Sequence, residues 1–134
     1  MLMAQVIIYK NESGGVSLCI PSGEIPIEDV QRKDTPAGSR IIEDTTLPDS
    51  EFFNAWELTN DAVSINIDKA KTIAHDKRRE ARSAEFAPLD IKATIPSEAT
   101  AAEVARQAVR DKYAAMQTAI DSATTTEQLK AVMP

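Results

Sequence analysis

Lys69, Lys71, Lys77, Arg78, Arg79 and Arg82 form the densest run of charge-bearing side chains in this sequence. At helical spacing Lys71, Arg78 and Arg82 fall near one face, which suits phosphate oxygens or the carboxylates of an acidic protein surface. Asp76 and Glu80 interrupt the run, and no aromatic residue accompanies it as a stacking platform. A solvated face or a protein contact is therefore favoured over nucleic acid.

His75 is the only histidine, and a general base needs a partner of defined geometry and a nucleophile to activate. Neither is in view: Asp76 points about 100° away around a helix, and Arg79 occupies the position one turn on. An ordinary surface histidine on a solvated helix is the reading. Glu43, Asp44, Asp49 and Glu51 gather around a turn, but without the regular spacing or the sharp glycine of a calcium loop they read as a solvated acidic loop. Gly14-Gly15 belongs to a hairpin rather than to the start of a helix, so no phosphate-binding glycine loop is present. No catalytic residue, metal ligand or cofactor is expected, and the chain is read as no enzyme.

Cys19 is the only cysteine, which excludes an internal disulfide framework and a cysteine-based zinc site; a small buried core residue is the simplest role for it.

The elements that must carry these residues divide at Asp68, where a two-residue alternation of apolar positions gives way to spacings of three and four. Residues 1–68 are read as a small antiparallel β-rich domain of about five short strands. Gln5 to Lys10 and Val16 to Ile20 flank the loop Asn11 to Gly15 as a hairpin, with apolar residues on both faces of the first strand. A short helix follows Pro26 and ends near Lys33. Ser39 to Glu43 forms a third strand, and a turn at Leu47 to Asp49 delivers Phe52, Phe53 and Trp56 toward the core. Trp56 and Leu58, then Val63, Ile65 and Ile67, alternate inward on either side of a turn at Thr59 to Asp61.

Residues 69–134 are read as an α-helical region. Asp68 is the expected N-cap of a helix running to about Phe86, where Pro88 should kink or end it and a short piece resume from Leu89. Ile95 to Ser97 is the firmer break. Beyond it Ala102, Ala105, Val109, Tyr113, Met116, Ile120 and Ala123 share one stripe of a long helix. Thr125 and Gln128 have capping-box spacing for a last short helix. The result is a helical hairpin plus a short terminal helix, and the fold class is α+β.

Length and composition fit a modest core: 134 residues with three Phe, two Tyr and one Trp offer few bulky anchors. Support from a partner chain or self-association is expected. Residues 1–68 carry 12 acidic and 4 basic groups, a balance of −8, and residues 69–134 carry 9 acidic and 11 basic, a balance of +2. That asymmetry suits head-to-tail contacts or docking on a charged partner. No apolar run approaches the roughly 20 residues of a membrane span, and no secretory leader pattern opens the chain. The stripe Val109, Tyr113, Met116 and Ile120 serves equally as the inside of the hairpin or as a seam between chains.

The opening VIIYKNESGGVSLCIPSGEIPIEDV, then KDTPAG, FFNAWEL, NIDKAKTIAHDKRREAR and the ending DSATTTEQLKAVMP resemble small proteins encoded among the tail genes of tailed bacteriophages and prophages. The ending is similar to that of proteins encoded beside tail-fibre genes, including tail-fibre assembly and tail assembly chaperone proteins. The resemblance spans most of the chain and carries over no catalytic residue. It implies a virion component or a dedicated assembly factor, made in the bacterial host cytoplasm; the opposite charges of the two halves and the long helical stripe favour the first, a structural protein of the tail, fibre or baseplate. Its partners would be phage structural proteins and further copies of itself, with Val109, Tyr113, Met116, Ile120, Lys71, Arg78 and Arg82 as the candidate protein-contact residues. A tail-fibre assembly chaperone, a capsid decoration protein and, from another class, a nucleic-acid-binding regulator are the alternatives.

Overall fold

Val6, Ile7 and Ile8 are all buried although successive side chains of a strand point to opposite faces, so their strand must be covered on both sides. That strand, β1 (Gln5–Lys10), is the centre of a three-stranded antiparallel sheet between β2 (Val16–Cys19) and β3 (Arg40–Glu43). Ile8 pairs with Leu18 on one side, and Val6 pairs with Ile42 on the other. A helix, α1 (Ile27–Asp34), packs against β1 and buries Val30. A separate two-stranded ribbon joins β4 (Trp56–Thr59) to β5 (Ala62–Ile65). The computed structural model describes residues 4–59 and 62–134; Asn60 and Asp61, the centre of the expected turn, lie outside the described residues. The chain forms two compact units, Met1–Lys69 and Ala70–Pro134.

In the first unit Ile8, Val16 and Trp56 form the buried centre, packed by Leu18, Ile42, Leu47, Leu58, Val63 and Ile65. The Trp56 indole N–H donates to the Asp49 carbonyl at 3.1 Å, so burial leaves its polar group satisfied. Phe52 is buried, but Phe53 stays partly exposed with its ring centroid 4.9 Å from that of Trp56. Residues 50–55 are 3-10 helix, with about three residues per turn. Phe52 and Ala55 therefore share the inward side, and the adjacent Phe53 cannot join them. Cys19 is a free thiol and only half-buried, because it sits at the end of the outer strand β2 rather than in the centre of the sheet.

The long helix α2 (Ile67–Lys92) begins earlier and ends later than the sequence suggests. Its cap is Asn66, whose side-chain oxygen accepts from the Lys69 N–H at 3.1 Å. Asp68 falls in the first turn, where a carboxylate complements the helix dipole. The helix also continues through Pro88. Proline removes only the bond to the Ala84 carbonyl, and both residues lie on the exposed side, where water can serve that carbonyl.

Turns over residues 93–98 lead into α3 (Ala99–Ser122), and α4 (Thr126–Val132) packs on α3 with Leu129 fully buried. Thr125 Oγ1 accepts from the Gln128 N–H, while Gln128 Oε1 returns a bond to the Thr124 N–H at 2.7 Å, one residue before the expected partner. Side-chain bridges set the α2/α3 register: Lys71 and His75 meet Asp121, Glu85 meets Lys112, and Asp90 meets Arg106. Residue numbers rise along one helix as they fall along the other, so the pair is an antiparallel hairpin.

Candidate functional site

Four guanidinium groups converge where α2 and α3 run side by side. Arg79 and Arg82 from α2, and Arg106 and Arg110 from α3, line an open cleft of about 470 Å³ together with Ser83, Phe86, Ala87 and Asp90. Spacings of three and four residues bring Arg79, Arg82 and Phe86 onto one face of α2, and Arg106 and Arg110 onto one face of α3. The antiparallel register then sets the two faces opposite each other.

Three of the arginines have carboxylate neighbours. Arg79 Nη1 lies 3.1 Å from Asp76, and Arg110 Nη1 lies 2.9 Å from Glu103. Arg106 Nη1 lies 3.0 Å from Glu103, and its Nε lies 3.1 Å from Asp90. Glu103 sits below the usual carboxylate range, chiefly through the hydrogen bond from Arg110. Arg82 differs: among the described residues it meets no carboxylate, and its guanidinium lies 4.7 Å from the centre of the Phe86 ring. The Arg110 guanidinium is 6.0 Å from the same ring. The Arg106 Nε–H, shielded from solvent, has no aligned acceptor despite its closeness to Asp90. The cleft is thus rich in donors and poor in acceptors.

The other basic residues read from the sequence are placed differently. Arg78 is buried, its Nε–H donating to His75 Nδ1 at 3.2 Å, and Lys71 Nζ donates to the Asp121 carbonyl at 2.9 Å. The face expected to carry Lys71, Arg78 and Arg82 together is therefore split, with only Arg82 opening into the cleft. His75 is not a surface histidine, since its side chain is 15 % exposed and Nε2 lies 2.8 Å from Asp121 Oδ1. Accepting from Arg78 at Nδ1 requires the neutral ring to carry its proton on Nε2, which then donates to Asp121. Both ring nitrogens are committed to holding α2 against α3.

Tyr113 and Ile120 are buried, and Val109 and Met116 are half-buried. Ala102 and Ala123 on the same stripe are buried as well, so the stripe is the hairpin's inner side and leaves a narrow margin at Val109 and Met116. The acidic turn serves local structure: Asp49 Oδ1 caps the Glu51 N–H at 2.9 Å, and Asp44 pairs through its backbone and side chain with Ala4. No metal-sized cluster of acidic, histidine or cysteine side chains occurs among the described residues. Arg106 and Arg110 were not legible as site residues; their one-turn spacing was the only signal, and it became meaningful once the hairpin register was known. No protein-family model matches the chain, and neither does any curated protein or solved structure.

Proposed function

We propose that this chain is a non-enzymatic structural component of a tailed-bacteriophage virion, associated with the tail, fibre or baseplate, and that it acts through protein–protein contacts. The resemblance of its opening, middle and closing segments to tail-region proteins gives the biological setting. The observation that carries the contact role is the arginine cleft together with large apolar side chains left in solvent on the same hairpin, Ile91 at 67 % exposure and Val104 at 69 %. Ile91 follows the cleft residue Asp90 on α2, whereas Val104, two residues before Arg106, lies about 200° around α3 and offers a second contact face. Arginine is enriched at protein interfaces, and isolated exposed apolar residues gain when a partner removes them from water.

Purified particles analysed by mass spectrometry test this reading. The expected result is the chain present at stoichiometric copy number after sedimentation. Its presence in infected cells with absence from particles would instead fit a tail-fibre assembly chaperone that leaves before completion.

A further inference from the structure

We propose that the arginine cleft of the helical hairpin is a receptor for an acidic polypeptide segment, whose carboxylates bind the guanidinium of Arg82 with help from Arg79 and Arg110. This rests on the reading of the chain as a protein-contact module and names the chemistry of the partner.

The first ground is the count of unspent donors. Arg82 has none of its five N–H groups committed to an acceptor among the described residues, and Arg79 and Arg110 each engage only Nη1. Guanidinium forks match carboxylates in the plane of the group, two bonds at a time. The stack of Arg82 on Phe86 holds the fork in place, so less side-chain freedom is lost when an acceptor arrives. A volume of about 470 Å³ admits several side chains of a peptide.

The second ground decides between carboxylates and a phosphate backbone. Asp76, Asp90 and Glu103 offset three of the four arginines, leaving a small local surplus of positive charge. Nucleic-acid affinity grows with the number of phosphates neutralised, and a surplus this small can neutralise few of them. The only aromatic ring in the cleft is already engaged by two guanidinium groups, so no ready stacking platform awaits a base. Bidentate hydrogen bonding to a few carboxylates needs donors more than net charge, and donors are what the cleft holds in excess.

Fluorescence anisotropy with the full chain and a dye-labelled hexaglutamate peptide, at about 50 mM salt, tests the proposal. The wild type should bind, and R82K should weaken binding roughly fivefold because it keeps the charge but loses the fork. E103Q should strengthen binding by freeing Arg106 and Arg110. R32A, which removes an arginine of α1 outside the cleft, should leave binding unchanged, and circular dichroism checks that each variant is folded. No peptide binding by the wild type would overturn the proposal, as would equal losses in R82K and R32A, or tighter binding of a labelled oligothymidylate than of the peptide. Absence of the chain from purified particles would remove the virion reading without touching a positive titration. A negative titration with the chain present in particles would remove the receptor alone.

Discussion

Lys112 on α3 donates through Nζ to both carboxylate oxygens of Glu85 on α2, each at 3.2 Å. The pair joins the two helices near the middle of the hairpin. Interaction with the Tyr113 hydroxyl, then with Lys112, holds Glu85 below the usual carboxylate range. Burial, then interaction with Glu85, pushes the Tyr113 phenol up, and the Glu85 bond also raises Lys112.

These shifts give the hairpin a pH window. The depressed Glu85 contributes stability that is complete above its unfolded value, about 4.3, and is lost as pH falls through its lower folded value. Raised Tyr113 and Lys112 contribute stability that is complete below their unfolded values, about 10, and is lost as pH rises through their higher folded values. Thermal melts followed by far-ultraviolet circular dichroism should show a plateau between those limits. E85Q should flatten the acid limb relative to the wild type, and an unchanged limb would mean that Glu85 is not the group responsible.

Replacement of Trp56 by alanine should cost about 3–5 kcal/mol in the β-rich unit, since the side chain is 2 % exposed and lies at the centre of the core. Native-state hydrogen exchange of the β1 amides measures it. A loss under about 1 kcal/mol would contradict the packing described.

Pro88→Ala should stabilise α2. The substitution restores an N–H opposite the Ala84 carbonyl and removes the ring from an exposed helix interior, a change worth up to about 3 kcal/mol. The expected observation is a higher melting temperature for the helical signal. A lower one would mean that Pro88 sets a bend that α2 needs.

Ile120 and Met116 should respond differently to an introduced charge. Ile120 is fully buried, so Ile120→Asp should unfold the hairpin, and Ile120→Ala alone should cost about 2–5 kcal/mol. Met116 is half-buried, and Met116→Glu should retain most of the helical signal. Met116 is therefore the position at which to test whether the margin of the stripe meets another chain, by comparing incorporation into particles.

Periodicity made much of this fold readable. The alternation in β4 and β5, the proline opening α1 and the stripe of α3 are local patterns, and local geometry repeats them faithfully. What escaped depended on neighbours. Pro88 has a poor local preference for a helix, but the turns on either side hold their own bonds and its bare carbonyl partner faces water. Asn66 and Asp68 are both good capping residues, and the sequence alone does not say which of the two starts the helix. The arginine cleft was the least legible feature, because Arg79 and Arg82 meet Arg106 and Arg110 only through an antiparallel register set by side chains 16 to 50 residues apart. Helical spacing groups Arg78 with Lys71 and Arg82, whereas it is buried against His75.

Trp56 is the only tryptophan of the chain, and it lies within the first unit with its indole buried and hydrogen-bonded. Its emission therefore reports the packing of the β-rich unit, while ellipticity at 222 nm is dominated by the helices of the second unit. One heated sample read at both signals gives two melting curves, and their coincidence or separation measures whether the units unfold as one cooperative body without a single substitution being made.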